Sequence, residues 1–238
     1  CRSAGLTIVE LMISMLLASL LMAALLKVMM SQRQLVGQVF AMTSLAERIG
    51  FVSNYLNMNL QEAGYAPINQ GAPFPVGVSG KLSGKLSGVD QAISDELVIF
   101  SQGGRGCADA SLSNGNAVSW RRFSVNHTDD RWELRCEDSE GGPYPIMDNV
   151  EAMQVQYGVD TNRDRVPDFY TNLTQLPANP SLVSLRLGLL LRSESPLSAT
   201  QSATLKDHRL LDVELPDAAN KGIDFNDGRI RQRVLITV

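Results

Sequence analysis

The chain has 238 residues and a net charge of −4, room for one membrane anchor and one domain with its own core. No run of basic residues offers a nucleic-acid footprint, so nucleic acid is not an expected partner. The two histidines, His127 and His208, are isolated in sequence, and no zinc-ligand spacing forms.

The first element is apolar from Leu6 to Leu26 and stops at Lys27, with Glu10 as its one charge. As a helix it spans roughly 30 Å, the thickness of a bilayer core. A carboxylate inside such a run costs on the order of 2.5–3.5 kcal/mol, which implies a partner or a function. Gly5, the apolar Leu6, Thr7, Glu10 and the unbroken apolar helix that follows resemble the class III signal of type IV prepilins. The resemblance implies processing by a prepilin peptidase between Gly5 and Leu6, methylation of the new N-terminus, and an assembly role for Glu10. Two features depart from the family pattern. Leu6 stands where most members have Phe, and the chain opens at Cys1, so residues 1–5 are read as what is left of a leader. A secretory signal would need small residues after the apolar run, and Lys27-Val28-Met29-Met30 stands there instead.

The helical pattern then continues. Leu35, Val39, Met42, Leu45, Ile49, Val52, Leu56 and Leu60 recur at steps of three and four, one apolar stripe. No proline precedes Pro67, so nothing forces a break. Gly37 and Gly50 weaken the helix by about 1 kcal/mol each. The predicted end is Ala63-Gly64, with Gly64 as the cap, for a rod of roughly 85–90 Å. The expected organisation is a leader remnant at 1–5, a transmembrane and assembly helix at 6–30, its continuation at 31–64, and a β-rich globular domain at 65–238. Gln61-Glu62-Ala63-Gly64-Tyr65 resembles the turn that closes this helix in PilW-like minor pilins. Residues 66–92 are rich in Gly, Pro and Ser, with Lys81-Leu82-Ser83-Gly84 repeated at once, and read as a loop.

Residues 95–101, 119–125, 132–136, 150–157, 181–191, 210–215 and 229–238 read as strands. The strand, turn and strand ending at Cys136 again resemble the PilW-like family. One long helix followed by strands predicts an α+β fold, a long N-terminal transmembrane helix packed on an antiparallel sheet, as in type IV pilins. Cys1 would leave with the leader, and Cys107 and Cys136 remain as one pair, which suits an oxidising compartment. Their disulfide is valued at about 3.5 kcal/mol on chain entropy.

Asp160, Asn162, Asp164 and Asp168 space oxygen side chains at alternate positions, a pattern that suits calcium. Arg165 stands where a sharp turn wants Gly, Thr171 stands where a bidentate Glu would close the site, and Arg163 adds charge of the wrong sign. The reading is an Asx-rich turn, with bound calcium as the alternative and no other metal or cofactor expected. The sequons at Asn126 and Asn172 are read as chance. No nucleophile-elbow sequence occurs and neither histidine has an evident partner, so no enzyme is expected.

The resemblance to PilW-like minor pilins implies a subunit that primes type IV pilus assembly and sits near the tip. Its partners would be other minor pilins, the major pilin, the prepilin peptidase, the inner-membrane assembly platform and a tip adhesin. The expected location is the bacterial inner membrane, single-pass with the domain in the periplasm, and then the extracellular pilus. Two alternatives stand beside it: a minor pseudopilin of a type II secretion system, and a membrane-tethered adhesin or binding protein.

Overall fold

A computed structural model describes residues 7–63, 94–102, 106–108, 118–128, 131–177, 180–196, 209–211, 213–215 and 223–238. Gly5, Leu6, Gly64, His208 and the repeat at 81–88 lie outside the described residues.

Helix α1, Ile8–Gln61, runs for 54 residues without interruption, roughly 80 Å. Thr7 caps it: the Thr7 hydroxyl accepts the Glu10 N–H at 3.3 Å, and its carbonyl accepts the Leu11 N–H at 3.2 Å. The helix ends at Gln61, and a last bond from Ala63 N–H to the Leu60 carbonyl, 3.0 Å, closes the final turn. The stripe read from the sequence divides in two. Leu45, Val52, Leu56 and Leu60 are buried, whereas Leu35, Val39 and Met42 are 59%, 55% and 50% exposed.

The strands are β1 Leu97–Gln102, β2 Val118–Thr128, β3 Arg131–Asp138, β4 Gly141–Asp148, β5 Val150–Val159, β6 Phe169–Thr171, β7 Leu182–Arg192, β8 Arg209–Leu210, β9 Val213–Glu214 and β10 Arg231–Thr237. The class is α+β, with antiparallel pairing throughout these strands. Instead of one sheet there are two of four strands, ordered β1-β2-β3-β4 and β10-β7-β5-β6, plus the small hairpin β8-β9. Strand β4 was not expected, because Gly142, Pro143 and Pro145 argue against a strand. It lies at a sheet edge, where a missing N–H is tolerated.

The two sheets join at a corner before β1. Asp95 N–H donates to the Met153 carbonyl at 2.7 Å, and the Asp95 carboxylate accepts the Val155 N–H at 2.9 Å. Ser94 Oγ accepts the Met153 N–H at 2.9 Å. These side chains satisfy the part of β5 that β6 is too short to reach. Strand β5 is buried along its whole length. The core joins the buried half of α1 to both sheets through Phe123, Leu134, Met153, Val155, Leu187 and Leu189. Tyr55 of α1 meets Phe123 of β2 edge to face, centroids 6.5 Å apart. The β8-β9 hairpin lies close over β7, where only a glycine fits. A Cβ on Gly188 would come within 2.9 Å of Leu211 and 3.1 Å of Leu210.

Candidate assembly site

The N-terminal half of α1 has apolar side chains on every face. Ile8, Met12, Leu16, Met22, Leu25 and Met29 are all more than half exposed. Among the described residues, α1 is the one helix long and apolar enough to cross a membrane. Glu10 lies in its first turn, beside the positive end of the helix dipole, which favours a carboxylate there. No charged residue follows it before Lys27.

Two polar ties hold the sheets on the other half of the same helix and a third holds the second sheet together, and the sequence reading found none of them. Arg121 of β2 is 1% exposed. Its guanidinium donates to Asn59 Oδ1 at 2.7 Å and to Glu62 Oε2 at 2.9 Å, so the first sheet grips the last turn of α1. Those acceptors sit at the negative end of the helix, where a cation is favoured. Farther down, Arg48 donates to Glu194 Oε2 at 3.1 Å and to the Asp148 carbonyl at 3.4 Å, which ties α1 to the ends of β4 and β7.

The third tie lies within the second sheet. Glu151 is 1% exposed and receives two bonds from Arg231, at 2.6 and 2.9 Å, with Arg192 at 3.6 Å. Arg231 also donates to both Asp227 oxygens, at 2.8 and 2.9 Å, and to the Asp224 carbonyl at 2.7 Å. Burial pushes the Glu151 carboxyl above its ordinary range, and the two guanidiniums pull it back. Burial also works against the charge on Arg231, but its bonds to Glu151 and Asp227 outweigh it and raise that group. Partial burial of Asp227 is likewise outweighed, by Arg231 and the Arg229 N–H, and its carboxyl lies below the usual range. The network fixes the segment before β10 to the start of β5. An arginine in an alternating strand gives no sign in the sequence that its partner is a buried acid eighty residues away.

Cys107 and Cys136 form a disulfide, with Cα atoms 5.6 Å apart, and both are buried. The bond pins residues 106–108 to β3, where Asp138 Oδ2 also accepts the Cys107 N–H at 2.7 Å.

The loop weighed for calcium turns its oxygens on itself. Asp160 Oδ1 accepts the N–H groups of Asn162 and Arg163 at 3.1 and 2.6 Å, and Oδ2 accepts Arg165 N–H at 2.9 Å. Asn162 and Asp164 make the next turns, accepting from Asp164 and Val166 N–H. Asp168 takes the hydroxyl and N–H of Thr161, and these bonds hold its carboxyl below the usual range. Arg163 and Arg165 adopt φ of 65° and 69°, a left-handed conformation stabilised by the Asp160 bonds. Among the described residues, no group of three or more His, Cys, Asp and Glu could hold a metal. His127 is stacked on Trp132 at 4.0 Å.

Comparison with solved structures finds a type IV-like pilin from Thermus thermophilus, at 19% identity and a TM-score of 0.44. The match covers 82% of this chain and 95% of that one. No curated protein sequence matches. The sequence model of the family described as type IV pilus-assembly protein W matches residues 126–238. That stretch contains all four strands of the second sheet, together with β3 and β4 of the first.

Proposed function

We propose that the chain is a minor pilin. It is anchored in the bacterial inner membrane by α1, processed between Gly5 and Leu6, and built into a type IV pilus near the tip, where it helps to prime assembly. The role is structural and works through other minor pilins, the major pilin and the assembly platform. The observation that carries this reading is the stretch of α1 from Ile8 to Leu26, exposed, apolar on every face and with Glu10 as its one charge. The match to a pilus-assembly family over residues 126–238 supports it.

The physics runs through Glu10. In lipid or in a helix bundle its carboxylate is poorly solvated and needs a cation. If Leu6 is the mature N-terminus, its amine is a cation four residues before Glu10 in the same chain. Glu10 of one subunit and the amine of its neighbour then form a pair in a low-dielectric setting, which offsets both burial penalties and sets axial register. The test compares partner pilins co-purified with wild type and with Glu10→Ala at matched membrane levels. Recovery should fall at least about tenfold, less than the roughly 3–5 kcal/mol of a broken buried pair would allow. Equal recovery would refute the reading. Complementation of a deletion strain, scored for surface pili and for secretion, separates a pilus subunit from a secretion-system pseudopilin.

A further inference from the structure

We infer that the Cys107–Cys136 disulfide is a redox latch. Oxidised, it keeps Arg121 of the first sheet on the last turn of α1; reduced, it lets Asp138 draw that guanidinium away from the helix. This inference is independent of the role proposed above.

The two sheets hold α1 in different ways. Strands β7 and β10 of the second sheet pack close along it. The first sheet reaches it through long side chains of β2. Arg121 donates to Asn59 and Glu62, and Phe123 meets Tyr55 edge to face.

The register of β2 and β3 sets the latch opposite that hold. Arg121 pairs with Asp138 and Phe123 pairs with Cys136, with no bulge between the two pairs. Residues two apart on a strand, and residues directly opposite on its neighbour, share one face of a sheet. All four side chains therefore stand on the face that meets α1. Cys107 is fixed to this face twice, by the disulfide to Cys136 and by its N–H to Asp138 Oδ2. Gly106 lines one groove with Phe51, Tyr55, Met58, Asn59 and Glu62, so residues 106–108 lie beside the last three or so turns of α1.

The Asp138 carboxylate is what makes the latch reversible. Its Oδ1 accepts the N–H groups of Glu140 and Gly141, and its Oδ2 accepts that of Cys107. A dithiol reductant opens the disulfide by exchange. Its thiolate attacks one sulfur, the other sulfur leaves and takes a proton, and the second thiol of the reductant resolves the mixed disulfide. The protein gains two thiols and the dithiol becomes a disulfide. Of the two ties on Cys107, only the N–H bond then remains. When that bond opens, Oδ2 is an unpaired buried oxygen, directly across the ladder from Arg121 at a Cβ separation of about 4.5–5.5 Å. It competes with Asn59 and Glu62 for the guanidinium, and the end of α1 loses its hold on the first sheet.

The test follows amide exchange in the full chain in detergent, oxidised and after treatment with dithiothreitol. Exchange from Leu56 to Gln61 should quicken at least about tenfold, while β5, β7 and β10 change by less than about twofold. A bond that acts through chain entropy alone would instead shift all these amides together. Cys136→Ala should exchange quickly at Leu56–Gln61 without reductant and show no response to it. In Asp138→Asn the neutral amide competes weakly for Arg121, so reduction should quicken the last turn by less than about threefold. Should that variant fail to fold, Arg121→Gln gives the same test, with a last turn that exchanges quickly when oxidised and responds to reduction by less than about threefold. The inference is overturned by unchanged exchange at Leu56–Gln61 on reduction, by equal quickening in β5, β7 and β10, or by the full response in Asp138→Asn or Arg121→Gln.

Discussion

The two halves of α1 have the same kind of apolar stripe and opposite surroundings. From Leu45 to Leu60 it is covered by two sheets of its own chain, fixed by Arg121 at one end and Arg48 at the other. From Leu35 to Met42, and on every face below Lys27, nothing among the described residues covers it. Its later half completes a domain core, and its earlier half has an apolar surface that none of the described residues covers.

If stability resides in the later half and association in the earlier one, substitutions should separate the two properties. The largest effect on the domain should come from Glu151→Ala, which leaves Arg231 and Arg192 buried beside a missing partner. The expected loss is about 3–5 kcal/mol, read by denaturant unfolding of the full chain in detergent. Leu56→Ala should follow at about 2–5 kcal/mol, as expected for a fully buried leucine. Its counterpart Val39→Ala should change domain stability by less than about 0.5 kcal/mol, and a larger change would erase the distinction between the halves. Gly50→Ala should stabilise the domain by up to about 1 kcal/mol, because a Cβ there meets nothing within 4 Å. Gly37→Ala, equally unobstructed, should leave the domain's unfolding midpoint where it is.

The smallest effect concerns acid. The folded-state carboxyl of Asp227 lies below its unfolded value, so its contribution is present above about pH 4 and is lost as pH falls through the folded value. Thermal scans from pH 5 downward should show a decline that Asp227→Asn reduces. An identical decline in that variant would assign acid sensitivity to other carboxylates.

Much of this was legible because periodicity reports burial. The spacing from Leu45 to Leu60 gave the helix, and the leucine density at 181–191 gave β7. The same spacing could not tell stripe positions that meet a sheet from those that do not, since Val39 and Val52 belong to one pattern and differ only in where the sheets stop. Strand β4 was missed because its prolines are acceptable at an edge, and edge position is a property of topology. The Glu151 network was missed because ion pairs join residues far apart in sequence. For Glu10 the local signal was strong, a lone carboxylate in a long apolar run, but its partner belongs to whatever surrounds α1.

The absence of a proline from Ile8 to Gln61 gives the helix the character of a screw. A rod without a joint transmits displacement and rotation together. If a neighbour's side chains track the groove, each residue of slip raises the domain by about 1.5 Å and turns it by about 100°. The same face returns to the same neighbour only after one full turn, about 5.4 Å of travel. A subunit that must keep one face toward its neighbours while being hoisted out of a membrane would then rise in strokes of that length, and a kinked helix would not impose them.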